Sequence, residues 1–134
     1  MIKTDFDVID SIRELLNVSD VLQYVDEVRP FENQPSDYSN KKKFIVISFL
    51  SGNADDLQRG VVNINFFAPD DNASNTDITA FKNVEPVLIN ILTDAYYNDM
   101  EIDLAITPKV MKDIEVDGYH FMNIRINFYN PSII

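Results

Sequence analysis

His120 is the only histidine in this 134-residue chain, and there is no cysteine. A base–nucleophile relay would therefore have to run through one imidazole, because histidine is the side chain that titrates near neutral pH without help. No serine stands in a Gly-x-Ser-x-Gly elbow that could serve such a base. His120 also follows Asp117-Gly118 on an otherwise apolar strand pattern. A structural or surface place is expected for it.

Glu101 and Asp103 sit two residues apart in an alternating stretch, which puts their carboxylates on one strand face ~7 Å apart. That separation lies in the range used by paired carboxylates in glycoside hydrolysis. The same pattern belongs to any solvated strand face, and no apolar pocket is implied that would shift one of the two acids toward the neutral form. The solvated reading is preferred.

Asp70-Asp71-Asn72-Ala73-Ser74-Asn75 invites a calcium-loop comparison, and the comparison fails. Counted from Asp70, the sixth position is Asn75 where the loop needs glycine, and the twelfth is Phe81 where it needs glutamate. Local turns, in which Asn and Asp side chains satisfy nearby amides, account for the composition. Lys41-Lys42-Lys43, directly before an apolar strand, fits a gatekeeper role against aggregation, with contact to an acidic neighbour as the alternative. The three glycines build no phosphate-cradling loop. No catalytic, cofactor-binding or metal-ligating residue is assigned, and an enzyme is not expected.

The charge balance narrows the partners. Eleven Lys and Arg against 22 Asp and Glu give −11, which disfavours a phosphate-gripping surface and an anionic membrane surface alike. It suits solubility, or a partner with a basic face. The first residues lack the basic and apolar regions of a signal peptide. The apolar run Phe44 to Leu50 is far short of the ~20 residues that span a bilayer. A soluble protein that stays where it is made is expected, and the chain length allows one core.

The positioning elements follow from periodicity. Phe6, Ile9, Ile12, Leu15 and Leu16 recur at near-helical spacing, with acids weighted toward the start, so residues 5–16 read as an amphipathic helix ended by Asn17. Ser19-Asp20 can cap a short turn through Val21, Leu22 and Val25. Residues 29–43 hold two prolines and many Asn, Asp and Ser, which predicts a long surface loop. Phe44 to Leu50 is apolar on both faces and reads as a central strand. Residues 51–60 read as a polar connection to a strand at 61–68, where Val62, Ile64 and Phe66 alternate with Asn63 and Asn65.

Pro69 closes that strand, and an Asx-rich loop leads to helical spacing through Ile78, Phe81, Val84, Leu88, Ile91, Leu92 and Ala95. Pro86 conflicts with an uninterrupted helix, so a short turn at 77–82 and a main helix from about Val84, capped by Asn83, are predicted. Met100, Ile102, Leu104 and Ile106 alternate with polar residues up to Pro108. Asp117-Gly118 predicts a two-residue hairpin, returning with His120, Met122, Ile124, Ile126 and Phe128 on one face. The sum is a single α+β domain over residues 1–134, with a mostly antiparallel sheet of about five strands and two helices.

The strand "VNINFFAPD", its polar loop, the helix "FKNVEPVLINILTDA" and the closing strand "MNIRINFYN" resemble the tail-completion, or tail-terminator, proteins of long-tailed bacteriophages. The order of elements from about Ile9 to Tyr129 is similar too. The resemblance implies a virion structural protein, assembled in the host cytoplasm, that forms a ring of usually six copies at the head-proximal end of the tail. Such a ring terminates the tail tube and joins the neck. Its partners would be itself, the tail-tube protein and a head-completion or connector protein, with DNA passing through unread and no membrane involved. No functional residue is carried over. The alternative from a different class is an acidic protein inhibitor or DNA mimic, disfavoured because the acids lie in loops, helix starts and alternate strand positions rather than in regular rows. An adaptor of a cellular tail-like apparatus would read the same. Loops at 29–43, 51–60 and 69–76 are the expected contact segments.

Overall fold

The computed structural model describes residues 3–30, 42–54, 58–71, 75–112 and 118–131. Three helices and seven strands follow in the order α1 (Asp5–Leu16), α2 (Ser19–Leu22), β1 (Glu27–Pro30), β2 (Phe44–Ala54), β3 (Gln58–Pro69), α3 (Ile78–Leu92), β4 (Ala95–Tyr97), β5 (Met100–Leu104), β6 (Lys109–Lys112) and β7 (Tyr119–Asn130). The α+β class and the alternation of strands with helices are as expected. The sheet is larger than predicted, and it is mixed and curled rather than mostly antiparallel. Its order is β1-β2-β3-β7-β5-β4, with β6 pairing β7 beside β5.

The mixed character comes from β1, which runs parallel to β2 with Glu27 opposite Phe44 and Pro30 opposite Ile47. Residues 31–43, thirteen in all, separate the two strands. That is about the dozen residues a parallel crossover needs, whereas a hairpin would need far fewer. The predicted loop therefore begins later than Arg29, and residues 31–41 lie outside the described residues. Asp26 and Lys43 close the parallel pair: the Asp26 amide donates to the Lys43 carbonyl at 2.8 Å, and the Lys43 amide donates to the Asp26 carboxylate at 2.8 Å.

β3 and β7 form the middle of the sheet, paired antiparallel from Gln58–Asn130 to Pro69–Tyr119 without a register shift. β2 pairs β3 antiparallel, and the strands continue past Leu50 to Ala54 and back from Gln58, with a register shift between Phe49 and Ser51. Most of the polar connection at 51–60 is thus strand. A regular backbone ladder outweighs the low strand propensity of Gly, Asn and Ser there.

Val62, Ile64 and Phe66 of β3 and Met122, Ile124, Ile126 and Phe128 of β7 share one core with Val8, Ile9, Ile12 and Leu16 of α1 and Phe81, Val84, Leu88 and Leu92 of α3. This core lies between the helices and one face of the sheet. Phe6, assigned above to the buried stripe, is 65% exposed, and Val8 takes the buried place. Thr4 caps α1 through a reciprocal box, its hydroxyl accepting from the Asp7 amide while the Asp7 carboxylate accepts from the Thr4 amide. Asn17 ends α1 as expected, whereas the cap of α2 is Val18, with no side-chain bond.

α3 is one helix, capped by Asp77, whose carboxylate accepts from the Ala80 amide at 3.1 Å. The predicted break before Val84 does not occur. Pro86 is exposed, as are Lys82 and Asn83 a turn earlier. On that outer face the Lys82 carbonyl, which loses its amide partner, is open to hydration. Ala95 starts β4 instead of extending the helix. Asp94 at φ 48° turns the chain, and Asn98 and Asp99 at φ 48° and 63° join Tyr97 to Met100. Two positive-φ residues in a two-residue loop match the twist of the flanking strands, and Asn and Asp tolerate that conformation best after glycine.

Gly118 has φ +86°, the conformation expected of it, and antiparallel strands flank it. A two-residue loop at 117–118 would place residue 112 opposite residue 123, but Lys112 pairs with His120. The observed register is therefore not that of a two-residue turn, and Asp117 lies outside the described residues.

Candidate functional site on the sheet face away from the helices

Residues that alternate with the core positions form a second face, and the strand register sets them in rows. Tyr96, Glu101, Tyr129 and Arg59 stand side by side across β4, β5, β7 and β3. Asp103, Asn127 and Val61 make the next row, and Arg125, Asn63 and Ser48 the one after. Asn123 lies between Lys109 and Asn65. Met111, Phe121, Phe67 and Phe44 close the far end.

The far end is apolar. Phe44, Val46, Phe67 and Tyr119 are buried together, with Phe121 against them. The Phe44 and Phe67 rings stack at 4.9 Å, and Phe67 and Phe121 at 5.2 Å. Such cross-strand aromatic pairs stabilise a sheet beyond the area they bury. Tyr119 donates its hydroxyl to the Lys42 carbonyl at 3.0 Å. Burial, and then the negative charge of Asp26, pushes its phenol above the ordinary value of 10.0. The middle is polar: Asn123 donates to Asn65 at 2.7 Å and Asn63 at 3.3 Å, and Arg125 Nε donates to Asn63 at 3.3 Å.

The near end is a groove of about 960 Å3, lined among others by Arg59, Val61, Tyr96, Glu101, Asp103, Phe128 and Tyr129. Its charged lining consists of Asp94, Glu101 and Asp103 together with Arg59. Glu101 and Asp103 do share a face, as the alternation predicts, and both are exposed. Asp103 is occupied: its Oδ1 accepts from the Asp94 amide at 3.2 Å and the Leu104 amide at 2.9 Å. It holds the turn between α3 and β4. An acid–base pair needs one carboxyl in a desolvated setting, and neither residue has one.

His120 makes a structural contact that the sequence did not specify. Its Nδ1 lies 2.6 Å from Oδ1 of Asp70, and both side chains are mostly buried. A carboxylate only accepts, so Nδ1 carries the proton in this contact. Such a pair orients a general base, but a nucleophile must then stand at Nε2. Among the described residues no hydroxyl bonds there. The sequence signal for this contact is topological: once β3 and β7 are paired with Ala68 opposite His120, Asp70 falls one step diagonally beyond. The Asp70 amide also donates to the Gly118 carbonyl at 2.7 Å, which ties the same corner twice.

The described residues Asp71 and Asn75 of the Asx loop bond to each other. The Asp71 carboxylate accepts from the Asn75 amide at 2.9 Å, and the Asp71 amide donates to the Asn75 carbonyl at 2.8 Å. Residues 72–74 lie outside the described residues. No group of three or more His, Cys, Asp and Glu among the described residues could hold a metal ion. Lys42 and Lys43 of the basic cluster use their backbone to fix Tyr119 and Asp26, and Lys41 lies outside the described residues. No described helix is long and apolar enough to cross a membrane.

No protein-family model matches the chain, and no curated protein does. Among the solved structures similar to it, one matches over 93% of this chain and 89% of its own, with 10% identity and a TM-score of 0.47.

Proposed function

We propose that this chain is a structural subunit of a phage tail. It closes into a homomeric ring at the head-proximal end, terminates the tail tube and presents a surface to the head connector. The observation that carries this reading is the assembly of the stretches that resemble tail terminators. "VNINFFAP" and "MNIRINFYN" pair with each other in the middle of the sheet, and the helix "FKNVEPVLINIL" packs on the same core. Segments that resemble one family in isolation thus form one unit.

The charge of −11 supports passage of DNA without retention. The reading needs no catalysis, and His120–Asp70 serves in it as a latch at the β3–β7 corner. The virion is the expected location. The acidic-inhibitor reading draws on the carboxylates of the groove, but Asp103 is tied to backbone amides and Arg59 stands in the same row as Glu101.

The test is deletion of the gene from the phage that carries it, followed by electron microscopy of lysates. Unjoined heads and tails of uncontrolled length are expected. Normal virions would sink the reading.

A further inference from the structure

β6 is an edge: it pairs β7 on one side, and no described strand pairs its other side. An unpaired edge is a template for another strand, and charged side chains commonly guard it. Here the edge carries exposed apolar side chains, Val110 at 43% and Met111 at 42%, beside exposed Lys109. β4, at the end of the strand order, is a second open edge, with Tyr96 63% exposed. It borders the groove, which Asp94, Glu101 and Asp103 line together with Arg59.

The two features complement each other in three respects. Both are short open edges, both present exposed apolar side chains, and Lys109 is opposite in sign to the net charge of the groove, where three acids outnumber Arg59. They occupy different places along the sheet, since β6 lies beside residues 120–123 of β7 and the groove beside residues 127–129. One copy cannot join them to each other in place. A contact between different patches of identical chains is heterologous, and it closes into a ring when the rotation permits.

We propose that β6 of one copy docks on the β4 edge and groove of a second copy, with Lys109 facing Glu101 and Met111 against Tyr96. This names the ring interface of the function proposed above and rests on it. Charge complementarity at such a contact sets register and suppresses the wrong partner.

The experiment uses the full chain in native mass spectrometry and sedimentation velocity, up to about 1 mM, where even weak association shows. The wild type is expected to self-associate. Met111→Asp and Tyr96→Ala should each weaken association at least about tenfold, as should Lys109→Glu and Glu101→Lys. Mixing the last two variants should restore association, because every contact between unlike copies then pairs opposite charges. The double variant K109E/E101K should regain association. All four positions are exposed, and unchanged circular dichroism checks the fold, with Val110→Asp as a second edge variant.

A wild type that stays monomeric overturns the proposal, and the virion test then judges the function separately. Wild-type oligomers that survive every variant also overturn it, while leaving a ring through another surface intact.

Discussion

His120 and Asp70 are fifty residues apart in the chain and 2.6 Å apart in the fold. The contact joins the start of β7 to the residue after β3, beside the loop that leads into α3. A lone histidine in this setting acts as a fastener for the paired central strands. His120→Ala leaves a mostly buried carboxylate without its donor and should cost about 1–3 kcal/mol. His120→Asn or Asp70→Asn, which can keep a neutral hydrogen bond, should cost less. Chemical denaturation of the three variants gives the order, and an Ala variant as stable as the wild type would refute the latch.

Gly118 has φ +86°, and a Cβ built there meets nothing within 4 Å. Any penalty for a side chain is therefore backbone strain rather than a clash. Gly118→Val should cost about 1–3 kcal/mol, and Gly118→Asn clearly less, because Asn tolerates the left-handed region. Equal losses for the two would indicate that the turn relaxes.

Gln58 and Asn130 form a buried pair at the end of β3 and β7. The Gln58 carbonyl oxygen accepts from Asn130 Nδ2 at 3.0 Å and from the Lys3 amide at 2.8 Å, and its amide donates back to the Lys3 carbonyl. Gln58→Leu breaks all three and should cost about 2–4 kcal/mol, since unsatisfied buried polar groups are penalised more than a hydrogen bond gains. Hydrogen exchange should show the segment before α1 opening first. Unchanged protection there would contradict the assignment.

The capping box makes a prediction in acid. The amide and hydroxyl of Thr4 hold the Asp7 carboxyl below its ordinary value of 3.8. A lowered folded value means that the carboxylate stabilises the fold above the unfolded value, and that this contribution disappears as pH falls through the folded one. Asp7→Asn should therefore be less stable than the wild type at neutral pH, with the gap closing below about pH 4. A gap independent of pH would mean that the charge plays no part.

Tyr119 makes the opposite prediction in base. Its raised phenol contributes in full below the ordinary value of 10.0, and that contribution is lost as pH rises through the folded value. Tyr119→Phe should cost about 1 kcal/mol at neutral pH through the lost bond to Lys42. The variant should then outlast the wild type as the phenol ionises. Thermal melts at pH 7 and above pH 10 check both signs.

Elements with strong periodicity were legible in the sequence. Asp5–Leu16 and the β3 alternation sit where the pattern put them, because each buries one face against a single core. The strand expected from Met100 through Ile106, by contrast, stops at Leu104 and leaves Ile106 exposed. The misses have local causes. β1 is four residues ending in proline and owes its place to parallel pairing with β2, which no local pattern announces. β4 is three residues held by positive-φ turns at Asp94 and Asn98-Asp99, and the Ala95 that begins it also fits the helical spacing. Pro86 misled because its cost depends on which side of the helix faces water. The carboxylate pair at 101 and 103 was legible as a face, but the groove around it required β4, β7 and β3 to be placed first. His120–Asp70 required the β3–β7 register.

The central claim is tested most directly by cryo-electron microscopy of purified virions, focused on the junction of tail and head. The account predicts a ring of density at the head-proximal end of the tail tube whose subunits fit this seven-stranded sheet and its three helices. A resolved neck in which no subunit fits this fold would contradict it.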